Sequence, residues 1–289
     1  MPPLWKQLLR QNVTDNGVNI PLRLAEKQHI DSIKRQFLPL TETAHGEDTL
    51  QEEHFRKSPH LLQKYRGRAL LLTTKACAMQ CAYCFRQNLD YHQDIKTFDK
   101  ELEILAHDTT IKEVVLSGGD PLSLDDAVLG RLIDDIDNIA HITKLRIHTR
   151  FPIGIPERIT PSFLDILSRQ HMQIWFVIHC NHPQELDDDI LVALKSIQKL
   201  GIPVLSQSVL LHGVNDTYDT LYNLCERLVD NGIIPYYLHQ LDKVSGTEHF
   251  EVREEKGRRL IDMLAQALPG YAVPKYVKEI AGKPYKTPL

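Results

Sequence analysis

Three of the chain's five cysteines lie within eight residues, in the run Cys77-Ala78-Met79-Gln80-Cys81-Ala82-Tyr83-Cys84, a CxxxCxxC spacing that follows an apolar stretch at once. Three thiolates on one tight loop can each hold one iron of a [4Fe-4S] cube, which leaves the fourth iron without a protein ligand. An open iron suits a cluster that binds and activates a small molecule rather than one that only carries electrons. A structural zinc would want a fourth Cys or His with paired spacing, and neither Cys180 nor Cys225 offers one. Those two cysteines read as buried small hydrophobes, Cys225 on a helix face beside Leu221 and Leu228. An odd number of cysteines in a chain with no export signal also argues against a disulfide framework.

The loop needs a scaffold, and six short apolar runs supply it: Ala69 to Thr73, Glu113 to Leu116, Leu145 to His148, Ile174 to Ile178, Pro203 to Val209 and Ile234 to Leu238. Helical patterns fill the intervals between them. Over Gln184 to Leu200, Leu186, Ile190, Leu194 and Ile197 recur at helical spacing before Gly201, and Thr217 to Asn231 repeats the design before Gly232. Leu124 to Ile139 and Arg253 to Leu268 complete the set. Alternating strands and helices predict a buried parallel sheet. Six units fall short of the eight of a closed TIM barrel, so the fold class is α/β, an open partial TIM barrel of (β/α)6 type. In such a barrel the cysteine loop lies at the C-terminal mouth, where active sites of the architecture are built.

Three parts follow along the chain. Residues 1–66 form an N-terminal helical extension packed on the barrel, with a helical stretch at Leu22 to Phe37 and a charged, irregular piece at Glu42 to Arg56. Residues 67–270 form the barrel. Residues 271–289, rich in Pro, Gly and basic side chains, are expected to wrap the surface as a C-terminal tail rather than to add a further unit.

The 289 residues carry a net charge of −4 with no long basic run, so the footprint of a dedicated nucleic-acid binder is missing. The longest apolar runs fall far short of the roughly 18 residues that a bilayer span needs. The N-terminus lacks the basic, apolar and small-residue succession of a signal peptide, which places the protein in the cytoplasm without a membrane partner.

CxxxCxxC with an aromatic before its last cysteine resembles the signature of the radical S-adenosylmethionine superfamily. That resemblance implies the open (β/α)6 barrel, a [4Fe-4S] cluster on Cys77, Cys81 and Cys84, and S-adenosylmethionine on the fourth iron, cleaved reductively to a 5′-deoxyadenosyl radical. Ser117-Gly118-Gly119-Asp120 is similar to the superfamily's segment whose backbone meets the amino group of S-adenosylmethionine, where glycines allow close approach. By resemblance Tyr83 packs near the adenine, and Gln207 on the fifth strand is a further candidate contact. On its own, a Gly-Gly-Asp-Pro sequence could also be a plain turn that ends a strand.

Within the superfamily the tail Glu279-Ile280-Ala281-Gly282-Lys283-Pro284-Tyr285-Lys286-Thr287-Pro288 resembles the lysine 2,3-aminomutases, in which the lysine before Thr-Pro forms a Schiff base with pyridoxal 5′-phosphate. Lys286 fills that place. Tyr65-Arg66-Gly67-Arg68 is similar to the family's phosphate-binding segment, with Tyr65 and Arg68 as its candidates, and a guanidinium suits a bidentate phosphate contact. The resemblance puts Arg86 on the substrate carboxylate and Asp242 with Glu279 on the ε-ammonium. At Glu279 the chain departs from the family's usual Asp by one methylene. Taken without the resemblance, Asp242 could cap a loop, Glu279 and Lys286 could be solvated charges, and His148 and His179, at strand ends facing the mouth, could be packing residues.

What the resemblance implies is an isomerase that moves the α-amino group of L-lysine to C3, with flavodoxin or ferredoxin as reductant. The chain stops three residues after Lys286, and its Pro-Tyr-Tyr-Leu-His and Leu-Asp-Lys-Val segments resemble the short bacterial members that make (R)-β-lysine for modification of elongation factor P. The alternatives are an (S)-β-lysine-forming aminomutase, a radical enzyme that modifies RNA or peptide without pyridoxal phosphate, and a non-enzymatic metal-stabilised binding module.

Overall fold

The structure, a computed structural model, describes residues 2–11, 13–15, 18–27, 29–37, 51–86 and 97–289. Strands β1 (Val13–Asp15) and β2 (Val18–Ile20) form a small antiparallel hairpin. All other strands belong to one sheet: β3 (Arg56–Ser58), β4 (Leu61–Leu62), β5 (Arg68–Leu72), β6 (Glu113–Ser117), β7 (Lys144–Thr149), β8 (Gln173–His179), β9 (Val204–Leu210), β10 (Ile234–Gln240), β11 (Lys275–Lys278) and β12 (Thr287–Pro288). They run in sequence order across the sheet, β3 and β12 lying at its two edges, so the barrel is open. The six strands expected from the apolar runs are β5 to β10, parallel throughout. The expected helices stand at Asp126–Asp137, Asp188–Gln198, Tyr218–Asp230 and Glu254–Ala267.

The helix anticipated from Gln184 is shorter at its start because Pro183–Glu185 forms a separate 3-10 turn, capped by the His182 ring. Leu186 lies outside the helix and is nevertheless buried. In the N-terminal segment, Leu22 to Phe37 does not run as one helix. It breaks into Leu22–Glu26 and Asp31–Lys34 around an extended Ile30. Leu24, Ile33 and Phe37 still reach the core. Of the stretch expected to be irregular, 42–50 lies outside the described residues, and the remainder is a 3-10 turn at Glu52–Phe55 leading into β3.

The tail differs most from expectation. It does not wrap the surface: β11 pairs parallel with β10, and β12 returns antiparallel on β11. Tyr276 buries its ring against Leu238, Leu260 and Leu264, and its hydroxyl donates to Gln240, so the tail adds a seventh parallel strand.

Alternation along the strands decides where chemistry can sit, because successive side chains point to opposite faces. Leu71, Leu116, Ile147 and Phe176 face the helices and join one core with Leu129, Ile133, Ile190 and Leu194. Each such side chain fully buried contributes about 1.5–3 kcal/mol. The opposite face carries Arg68, Glu113, Ser117, Arg146, His148, His179, Gln207 and His239, and the register sets His179 beside Gln207. A sheet that spends one face on polar residues forgoes that stabilisation there and makes a site of it.

Candidate active site

The cysteine loop leaves β5 at Leu72 and is tied to the end of β6. Thr73 donates to the Ser117 carbonyl through both N–H and Oγ1, each at 2.9 Å. The next two ties come from the Gly-Gly-Asp segment: Gly119 N–H donates to the Thr74 carbonyl at 2.7 Å and Asp120 N–H to Ala76 at 2.9 Å. Both glycines are forced by this approach. A Cβ on Gly118, whose φ is +121°, would lie 2.7 Å from the Thr74 carbonyl, and one on Gly119 would lie 2.4 Å from that of Ala76. The glycines therefore serve first to seat the cysteine loop. Asp120 is likewise committed: its carboxylate accepts from Thr149 Oγ1 and from the backbone N–H groups of Leu122, Arg150 and Phe151. Burial pushes it up to about 6 against those hydrogen bonds.

Within the loop, Cys81 N–H and Cys84 N–H donate to Met79 and Cys81 carbonyls, and the Met79 carbonyl also accepts from Cys77 Sγ at 3.2 Å and Cys81 Sγ at 3.4 Å. Burial, and then the neighbouring charges of Asp120, Cys81 and Cys84, push the Cys77 thiol well up. A thiol so placed calls for a cationic centre to make a thiolate of it. Among the described residues no three His, Cys, Asp or Glu side chains gather about one point as they would for a single ion. A cube, by contrast, takes each cysteine on a separate iron, and the loop fits that demand.

Around the loop, Tyr83 is 6% exposed and stacks on His179, whose Nε2 lies 2.9 Å from its hydroxyl. His179 is held neutral, mainly by burial and then by Arg150. Gln207 stands beside it on β9. Arg86 donates through Nη1 to Ser117 Oγ at 2.8 Å and through Nη2 to Glu52 Oε1 at 2.7 Å. The guanidinium proposed for a substrate carboxylate thus already meets a carboxylate, one that sequence reasoning did not single out.

On the other side of the mouth the β11–β12 register pairs Lys278 with Thr287, which sets Glu279 across from Lys286. Lys286 Nζ donates to Glu279 Oε2 at 2.7 Å. Tyr65 donates its hydroxyl to the same carboxylate at 2.6 and 2.9 Å, and Lys64 adds a further contact. Burial would raise the Glu279 carboxyl, but Lys286, Lys64 and Tyr65 hold it at about 2. Asp242, two residues past β10, is pushed up to about 6 by burial, with Lys286 opposing and Glu279 adding to the rise. Arg68 lies over the Tyr65 ring at 5.0 Å. Between the two groups sits His148, kept neutral by burial and by Arg146, Lys286 and Arg86, its shielded Nε2 without a partner among the described residues.

The structure therefore brings Lys286, Glu279, Asp242, Tyr65 and Arg68 to one side and the cysteines, Tyr83, His179, Gln207, Arg86 and Ser117 to the other. Asp120 alone is turned away into the scaffold. Cys180 and Cys225 are buried packing residues, and burial pushes the latter thiol up to about 12. Lys64, Glu52, Arg146 and Arg150 escaped sequence reasoning; only Lys64, beside Tyr65, carried a local signal. No helix among the described residues is long and apolar enough to cross a membrane.

Comparison with known proteins agrees with this geometry. The family model described as "Radical SAM superfamily" matches residues 71–225. The chain is 43% identical over 245 residues to the L-lysine 2,3-aminomutase of Escherichia coli K12, covering 84% of this chain and 71% of that one. It is 41% identical over 243 residues to the enzyme of the same name from Haemophilus influenzae, covering 83% and 72%. Among solved structures, Streptococcus suis SuiB bound to S-adenosylmethionine superposes with a TM-score of 0.57 at 15% identity, over 76% of this chain and 52% of that one. A radical SAM methyltransferase from Sphaerobacter thermophilus gives 0.55 at 16% identity, over 75% and 68%. These two show the shared fold. The chain belongs to the radical S-adenosylmethionine superfamily, with its [4Fe-4S] cluster and S-adenosylmethionine, and within it to the lysine 2,3-aminomutase family of isomerases.

Proposed function

We propose that the chain moves the α-amino group of L-lysine to C3, using pyridoxal 5′-phosphate bound through Lys286, and that the product is (R)-β-lysine destined for elongation factor P. The observation that carries the reading is the half-buried group of Lys286, Glu279, Tyr65 and Asp242 set across the mouth from the cysteine loop. Lys286 offers an amine, Tyr65 and Arg68 a phosphate seat, and Arg86 a guanidinium for the substrate carboxylate. Asp242 and Glu279 place two carboxylates where the ε-ammonium would arrive, and the Asp242 carboxyl, raised by burial, gains most from a cation beside it.

Cys77, Cys81 and Cys84 would hold the cluster, with Tyr83, Gln207 and the Ser117–Gly119 backbone beside S-adenosylmethionine; together the two cofactors supply a carbon radical able to remove hydrogen. Pyridoxal phosphate supplies a π system over which an unpaired electron spreads. The chain's own residues orient C3 within van der Waals reach and exclude water from it. In this reading residues 1–66 cover the site, 67–270 are the catalytic barrel, and 271–289 carry the cofactor lysine. A flavodoxin or ferredoxin delivers the electron.

Anaerobic incubation of reconstituted protein with L-lysine, followed by chiral analysis, tests the reading. (R)-β-Lysine is expected. An (S) product would leave the aminomutase and overturn the elongation-factor assignment, and no β-lysine at all would overturn both.

A further inference from the structure

A buried polar network joins the N-terminal segment to the cysteine loop, and the reading above gives it no task. Its centre is Arg150, just past β7 and 5% exposed. Nη2 donates to Gln36 Oε1 at 2.7 Å and to Glu185 Oε2 at 3.0 Å. Nη1 donates to Cys81 Sγ at 2.8 Å and to the Tyr83 hydroxyl. Gln36, itself fully buried, donates to Glu185 Oε1 at 2.8 Å, and its backbone carbonyl accepts from Ala82 N–H at 2.8 Å. Asn181 Nδ2 closes the network on Gln36 and Tyr83 at 3.0 and 2.6 Å.

Stability alone does not account for this arrangement. A buried Arg–Glu pair costs desolvation that its attraction barely offsets, and apolar residues of equal volume often do as well. What the pair achieves is orientation: Glu185 and Gln36 fix one edge of the guanidinium so that the other edge faces the second cysteine of the cluster loop.

We propose that Arg150 is a positioning residue for the iron-sulfur cluster, and that its guanidinium, held by Gln36 and Glu185 against Cys81, raises the cluster's reduction potential. A reduced cluster carries one more negative charge than an oxidised one. A hydrogen bond and a fixed positive charge at a ligand sulfur favour the reduced state, so the potential rises. The N-terminal segment is then part of the redox centre. This inference rests on membership of the superfamily and not on lysine or pyridoxal phosphate.

The test is a potentiometric titration of the full-length protein, reconstituted anaerobically with iron and sulfide and followed by electron paramagnetic resonance. Arg150→Gln should load four irons and shift the one-electron equilibrium about tenfold toward the oxidised cluster, a fall of about 59 mV. Arg150→Lys, which keeps the charge and loses the fork, should fall less, and Gln36→Met should shift in the same direction by a smaller amount. Full iron content with an unchanged potential in Arg150→Gln overturns the proposal. Should that variant not load, an unchanged potential in both Arg150→Lys and Gln36→Met overturns it instead.

Discussion

The two sides of the barrel mouth are built on opposite terms. On the sulfur side Arg150, Glu185, Gln36, Asn181 and Tyr83 answer one another's hydrogen bonds out of water, and of the Arg150 guanidinium Nε alone is left without a partner among the described residues. On the tail side charges crowd together without that closure. Lys64, Tyr65 and Lys286 converge on one carboxylate, Asp242 is pushed up by burial, and His148 Nε2 faces the interior without a partner among the described residues. A network so nearly closed keeps its shape when ligands come and go. A crowded one changes its protonation and pairing when a charged ligand arrives. The sulfur side suits a group that stays fixed, and the tail side suits charged groups that change partners, as a substrate and a lysine-bound cofactor must.

The contrast can be broken from either side. Cys81→Ala is expected to have the largest effect, with iron content falling to background and lysine turnover lost, as measured by iron analysis and product assay. Lys286→Ala should also abolish turnover yet keep four irons, and should lose the visible absorbance of bound pyridoxal phosphate; absorbance that survives would move the attachment elsewhere. Glu279→Gln leaves Lys64 and Lys286 without their shared carboxylate and should cost about 1–3 kcal/mol, read from denaturant unfolding.

Asp242 yields a pH signature. Its folded carboxyl sits at about 6, above the usual Asp value, so it is protonated below that pH and cannot hold an ammonium. The value of kcat/KM for lysine should fall about tenfold per unit as pH drops below 6, and Asp242→Asn should flatten that limb of the profile. The smallest effect belongs to Glu52. If it competes with the substrate for Arg86, Glu52→Gln should lower KM for lysine by about tenfold, the size of one charge-assisted hydrogen bond. A rise in KM would make Glu52 a binding residue instead.

How much of this was legible in the sequence depended on how local each signal is. Strands β5 to β10 announced themselves because their apolar runs are bounded and regularly spaced. Strand β11 did not: Lys275 and Lys278 flank only Tyr276 and Val277, and prolines and glycines surround the segment, so pairing with β10 decides its structure where composition suggests a loop. The cysteines stood out as candidate ligands because all three lie within eight residues of chain. Arg150, Gln36 and Glu185 did not, because 114 residues separate Gln36 from Arg150 and 35 separate Arg150 from Glu185, and no spacing rule spans such distances. The Gly118–Gly119 pair was expected to let the backbone approach S-adenosylmethionine, and the approach that the structure shows is that of the cysteine loop itself.

The central claim is that the sulfur side and the tail side act on one lysine held between them. Turnover of L-lysine deuterated at C3, with recovery of S-adenosylmethionine for mass analysis, tests it most directly. Deuterium at the 5′-carbon of the recovered S-adenosylmethionine is expected, together with β-lysine. Unlabelled S-adenosylmethionine beside unchanged lysine, from protein that carries four irons and pyridoxal phosphate, would contradict the account.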